Sequence, residues 1–247
     1  HQPVQQVGQA WTDSTRVPDP WHTVPTTQDS CAAQDFLGLG TWFGETGQCV
    51  ACRSFRSFLA FGKHGVGESP VWRADEASLY WVDIPAKAIL CWNSRRGAVR
   101  TWSLPEMAGC IAHIDGPRWL AALESGAFMA TLADDGSVNT ELLAAARHAE
   151  PGMRFNDGRC DRQGRFLAGT MFLDMAAAKA VGVVSSFDAN GNQRALVDQL
   201  IVPNGMAFSP DGRTMYLSDS HPTVTTVWAY DYDVATGTPA NRRVFIA

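Results

Sequence analysis

Long hydrophobic runs are missing from this 247-residue sequence. Spanning a bilayer takes ~20 consecutive apolar residues, and the stretch from Ala176 to Val184 is already broken by Lys179 and Gly182. No membrane partner is expected. Positive charge is also scarce: 20 Lys and Arg stand against 25 Asp and Glu, for a net charge of −5. Counterion-driven binding to nucleic acid needs clustered Lys and Arg, so nucleic acid is excluded as a partner. The chain opens at His1 with neither a basic nor an apolar leader segment. No secretory signal is expected, and the missing initiator Met points to a processed or incomplete chain.

Cysteine is sparse and irregular, with six residues at 31, 49, 52, 91, 110 and 160. A chain of this size needs no disulfide staples, so reduced thiols and a cytoplasmic location are the expectation. The pair Cys49 and Cys52 suggests zinc, but a structural site needs four ligands. The extras, Cys31, His22 and His64, stand at irregular distances, and the pair reads as loop cysteines. Nucleophile signatures are absent as well: there is no G-x-S-x-G elbow, no H-E-x-x-H and no Walker loop.

What is present is enough for a core, since 45% of residues are apolar. Residues 1–62 differ from the rest, with Pro3, Pro18, Pro20 and Pro25 and no sustained period of 2 or 3.6. They read as an irregular, disordered or non-native N-terminal extension, either foreign to the fold or peculiar to this chain. Gly38, Gly40 and Gly44 fail as a dinucleotide loop because no strand precedes them. A cap at Asp29 or Ser30 predicts one short helix over 32–37.

Residues 63–247 carry short alternating runs rich in Val, Trp, Tyr, Phe and Leu, separated by Gly and Asp turns. This predicts an all-β chain. Turns containing Gly97, Gly136, Gly191 and Gly237 are each flanked by strand-like arms, giving four outer hairpins: 89–92 with 99–104, 128–132 with 138–143, 183–187 with 194–197, and 227–232 with 243–246. Four inner hairpins precede them: 70–72 with 79–84, 110–114 with 118–123, 159–161 with 165–169, and 206–209 with 214–218. Four antiparallel strands recurring about every 45 residues are the signature of a β-propeller, and a β-sandwich lacks that repeat.

Residues just ahead of each innermost strand should meet at one end of the axial channel. Glu68 stands four residues before Trp72, Asn156 four before Cys160, and Asn204 four before Phe208. One carboxylate and two amides suit a hard divalent cation such as Ca²⁺, Mg²⁺ or Mn²⁺. Asn before Gly is also a common turn residue, so turn geometry accounts for such a position equally well.

Gly67-Glu68-Ser69-Pro70-Val71-Trp72, Leu79-Tyr80-Trp81-Val82-Asp83-Ile84, Arg154-Phe155-Asn156-Asp157-Gly158, Gly164 to Met171 and Asn204 to Arg213 occur in an order and spacing that resembles the regucalcin/gluconolactonase, or senescence marker protein, family. The match covers about residues 64–247. The resemblance implies a six-bladed propeller, of which about four blades fit in this chain with an incomplete C-terminus. It also implies one divalent cation (Ca²⁺, Mn²⁺, Mg²⁺ or Zn²⁺) and hydrolysis of a sugar lactone to the aldonic acid. By the same resemblance Glu68 and Asn204 would ligate the metal, to which the equivalent blade position of Asn156 adds a third donor, and Arg154, Asn156 and Asp174 would contact the sugar. The family's base is a metal-bound aspartate on a later blade, past Ala247, so the catalytic base here stays unassigned.

Other readings stand beside these. Arg154 could be a surface ion pair, and Asp157 a turn residue capping its own backbone. His113 reads as a packed or edge-strand residue, His221 as loop, and Trp72, Trp81, Trp92, Trp102, Trp119 and Trp228 as blade packing. A non-catalytic propeller binding calcium or a partner is the alternative function.

Overall fold

The computed structural model describes residues 65–247. The extension over 1–62, the helix over 32–37 and the Cys49–Cys52 pair lie outside the described residues. Within them, four antiparallel sheets of four strands follow one another along the chain. The first blade contains β1 (Gly67–Arg73), β2 (Ser78–Asp83), β3 (Ala88–Asn93) and β4 (Val99–Ser103). The second contains β5 (Ala108–Asp115), β6 (Arg118–Leu123), β7 (Gly126–Leu132) and β8 (Val138–Ala145). The third contains β9 (Met153–Cys160), β10 (Phe166–Phe172), β11 (Gly182–Phe187) and β12 (Gln193–Leu200), and the fourth β13 (Pro203–Phe208), β14 (Thr214–Asp219), β15 (Thr226–Asp233) and β16 (Thr238–Ile246).

Each of the sixteen strands overlaps one that the alternating pattern predicts. Apolar side chains fill three layers, one between each pair of successive blades. Tyr80, Val82 and Trp102 meet Ile111 and Trp119; Leu120 and Met129 meet Phe155, Phe166 and Phe187; Leu167 and Val184 meet Met206, Met215 and Tyr232. Blades therefore stack face to face, as a propeller requires. Every residue of β2 is buried, as are all but one of β6 and of β10, whereas β14 alternates between buried and half-buried positions. Trp81, Trp102 and Trp119 are buried as expected, whereas Trp72 is 49% exposed because its side of β1 faces away from the second blade's core.

Carboxylates at the ends of the second strands hold the chain where it enters three of the four innermost strands. Asp83 accepts from Gly65 and Val66 N–H, Glu124 from Met107 N–H, and Asp219 from Ile201 and Val202 N–H at 2.7 and 2.9 Å. Bonds to a charged acceptor are among the stronger ones, and these three fix the entries to β1, β5 and β13.

Cys91, Cys110 and Cys160, the cysteines among the described residues, are free thiols. No helix among the described residues is long and apolar enough to cross a membrane.

Candidate functional site

The innermost strands begin earlier than the alternation predicts. Glu68, Asn156 and Asn204 lie inside β1, β9 and β13 rather than ahead of them. The register explains why. Pairing slips between Glu68 and Val71 in β1, opposite Gly169 in β9, and between Asn204 and Ala207 in β13. Each slip is a β-bulge, which kinks the strand and re-aims side chains. Ser69 and Gly205, at the first and last of these bulges, take left-handed φ angles of 54° and 61°. The register also makes the three positions equivalent, since Trp72, Cys160 and Phe208 pair with Leu79, Phe166 and Met215, the early residues of their second strands.

Direct contacts join neighbouring innermost strands around this level. Ser69 Oγ accepts from Ile111 N–H at 2.9 Å, linking β1 to β5. Gly109 in β5 lies so close to β9 that a Cβ there would sit 2.5 Å from Phe155 O and 2.6 Å from Asn156 O. Asn156 Nδ2 donates to Pro203 O at 3.0 Å, and Met206 N–H donates to Asp157 Oδ2 at 3.1 Å, linking β9 to β13. Asp157 is therefore not a turn residue serving only its own backbone: it lies in β9 and reaches into the next blade.

Arg154 is half-buried and forms no ion pair among the described residues, which removes the surface salt-bridge reading. Its Nη1 donates to Phe155 O at 2.7 Å and to Asn156 Oδ1 at 3.0 Å. Burial lowers its pKa, while the negative fields of Glu124 and Glu68 raise it; an arginine remains charged throughout. Glu68 is pushed above its ordinary range by burial and by Asp157, against the pull of Arg154. Burial likewise raises Asp157, offset by the N–H groups of Met206, Gly158 and Gly205. Glu68, Arg154, Asn156 and Asp157 thus share one electrostatic neighbourhood. Glu124, from the second blade, belongs to it too and went unrecognised in the sequence, because Leu-Glu-Ser-Gly reads as an ordinary turn.

Asn204 is half-exposed. Its Oδ1 accepts from Gly205 N–H at 2.9 Å and its Nδ2 donates to Ser220 Oγ at 3.2 Å. Asp174 is set apart from the others: exposed beyond β10, it caps a short 3-10 turn (Met175–Ala177) by accepting from Ala176 N–H at 3.1 Å. It is not among the charges acting on Arg154 or Glu68. His221, expected in a loop, does follow β14, yet it is buried. No cluster of three or more His, Cys, Asp or Glu suited to a metal exists among the described residues; the oxygen donors here are one carboxylate and two amides, with Asp157 beside them.

Stacked four-stranded blades, with polar groups gathered at equivalent bulges of the innermost strands, define a β-propeller whose candidate site is assembled from several blades. The sequence pattern of the SMP-30/Gluconolactonase/LRE-like region matches residues 66–247. The chain belongs to that family. It is 32% identical to regucalcin of Danio rerio over 181 residues, 73% of this chain and 59% of the relative. It is 36% identical to 6-deoxy-6-sulfogluconolactonase of Pseudomonas putida over 180 residues, 73% of this chain and 60% of the relative. The chain thus spans about three fifths of the curated relatives it matches. Among solved structures, a luciferin-regenerating enzyme superimposes with a TM-score of 0.71 at 25% identity, covering 76% of this chain and 63% of that one. The calcium-binding protein regucalcin of Agrobacterium tumefaciens gives 0.67 at 28%, covering 74% and 60%.

Proposed function

We propose that this chain carries the larger part of a cation-dependent lactone hydrolase that opens a sugar lactone such as gluconolactone to its aldonic acid. The observation that carries this reading is Arg154, bonded to Asn156 in the field of Glu68 and Glu124 on an innermost strand. Relatives named as a lactonase and as a calcium-binding protein support it.

The residues fit a hard cation. Glu68 is partly buried near a second carboxylate, Asp157, and accepts no hydrogen bond from a described residue, so the position favours added positive charge. The amide oxygens of Asn156 and Asn204 each accept one hydrogen bond and keep a second lone pair. All are oxygen donors, which favours Ca²⁺, Mg²⁺ or Mn²⁺ over Zn²⁺. When bound, such an ion polarises an ester carbonyl and acidifies water.

Lactone hydrolysis adds water across the acyl C–O bond: hydroxide bonds to the carbonyl carbon, the ring oxygen leaves, and that oxygen takes the proton. The guanidinium of Arg154 suits the carbonyl oxygen as charge develops on it, because its donors are held in a fixed fork. Asn156, anchored to Pro203 O, keeps Arg154 from swinging away. Asp157 holds the bulge that carries Asn204. In this reading Asp174 faces the sugar from the rim.

Gluconolactone hydrolysis measured with and without a chelator tests the proposal. Turnover that falls to background on chelation and returns with added Ca²⁺, Mg²⁺ or Mn²⁺ is expected. Cation uptake without turnover would make the chain a calcium-binding propeller instead.

A further inference from the structure

His221 lies outside the proposed chemistry, yet it is only 6% exposed and its ring reaches across to another blade. Nε2 meets Met175 O at 3.1 Å, 46 residues away in the segment after β10. Nδ1 lies 2.7 Å from Thr223 Oγ1 and accepts from Thr223 N–H at 3.3 Å, which leaves Nε2 as the donor to the carbonyl. The backbone N–H of His221 donates to Asp219 Oδ1, and that carboxylate also holds Ile201 and Val202, immediately ahead of the strand that carries Asn204. One connected network therefore runs from the strand bearing Asn204 to the segment bearing Asp174.

That segment, residues 173–181, sits at the site's end of the third blade. Leu173 N–H donates to Gly152 O, and Met171 pairs with Arg154. Its far side is pinned by Lys179, bonded to Glu150 at 2.7 Å and placed over the Phe172 ring at 4.0 Å. Between the pins, Leu173 and Met175 flank Asp174 and are each 45% exposed. With no buried residue in its own 3-10 turn, the segment depends on these external holds.

We propose that His221 is a positioning residue: by gripping Met175 O it fixes the rim segment 173–181 over the site strand, and so sets how tightly the lactone is held. This rests on reading Asp174 as sugar-facing. The effect should appear in substrate binding rather than in the chemical step, since His221 touches no group assigned to bond making or breaking.

The test uses the full chain with His221→Ala and His221→Gln, comparing gluconolactone kinetics, hydrogen exchange over 173–181 and thermal stability. For His221→Ala we expect KM to rise roughly five- to tenfold with kcat within about twofold, and faster exchange at the rim. Gln keeps a side-chain N–H for Met175 O, so it should restore most of the KM. If the Ala variant does not fold, His221→Phe, which keeps a ring of similar volume and removes the Nε2–H that meets Met175 O, carries the same KM test. An unchanged KM in His221→Ala or His221→Phe, or kcat falling in step with thermal stability, overturns the proposal while wild-type turnover leaves the lactonase reading intact. No lactone turnover by the wild type at any added cation overturns both.

Discussion

The side-chain amide of Asn156 donates to the backbone carbonyl of Pro203 at 3.0 Å, so a residue of the third blade is fastened to the residue preceding Asn204 in the fourth. Both partners are buried, and a buried hydrogen bond left half-made costs about 1–3 kcal/mol. The same amide presents its oxygen to Arg154 at 3.0 Å. Asn156 is thereby a junction: one end fixes the spacing between two innermost strands, and the other steadies the guanidinium. An aspartate here would set a carboxylate oxygen against the Pro203 carbonyl, which explains why an amide suits this position.

Gly109 sets the spacing on the other side of β9. A methyl group there would meet backbone atoms, Phe155 O at 2.5 Å and Asn156 O at 2.6 Å, and backbone cannot rotate aside as a side chain can. Gly109→Ala should destabilise the chain by about 1–3 kcal/mol, read as a lower urea midpoint. It should also weaken cation binding, because the displaced strand carries Asn156. Wild-type stability in the variant would show that β5 and β9 separate freely.

His113 gives the fold a pH dependence of known sign. Its ring packs edge-on against Trp119 with centroids 4.9 Å apart, and Nε2 lies 3.1 Å from Gly116 O. Burial, joined by the charge of Arg73, lowers its pKa from the usual 6.5. A histidine whose folded pKa is depressed takes up protons more readily when unfolded, so stability falls as pH drops from above 6.5 toward the lower folded value. His113→Phe keeps the ring contact and removes the titration. Urea melts across that window should be flatter in the variant, and equal slopes would remove His113 as the cause.

The blade repeat was legible because its signals are local. Gly97, Gly136, Gly191 and Gly237 all adopt positive φ in the outer turns, a conformation that glycine takes without steric cost. Apolar alternation then marks the arms on either side. The site was legible only as equivalent positions, and its strand context was misplaced. Ser69-Pro70, Asn156-Asp157-Gly158 and Asn204-Gly205 look like turns, yet they are bulges inside strands, where one extra residue breaks the period of two. Glu124 and the reach of Asp157 to Met206 could not be read at all. They depend on which blades become neighbours, and no spacing along the chain encodes that contact.

Glu68 offers the most direct test of the cation. Replacing it with Gln keeps the shape and removes the anionic ligand that a hard ion favours most. Affinity for Mn²⁺ or Ca²⁺ should fall by at least about tenfold in titration calorimetry. The fold should be retained, since Glu68 accepts no hydrogen bond from a described residue. Equal affinity in both forms would place the cation elsewhere.

Arg154 separates charge from shape. A lysine retains the positive charge opposite Glu68 and Glu124, so the electrostatic balance around those carboxylates is conserved. It cannot reproduce the planar fork, in which Nη1 bonds Phe155 O and Asn156 Oδ1 together while the remaining N–H groups stay free of described partners. If the guanidinium only balances charge, Arg154→Lys should leave lactone turnover unaltered. If it orients the ester carbonyl, kcat/KM should drop by roughly 10- to 100-fold while cation affinity holds. The combination of lost turnover and retained cation binding is the expected result, because Arg154 contributes no oxygen donor and lysine preserves the positive charge that acts on Glu68. Loss of both together would mean that the guanidinium braces Asn156, and that another group meets the substrate.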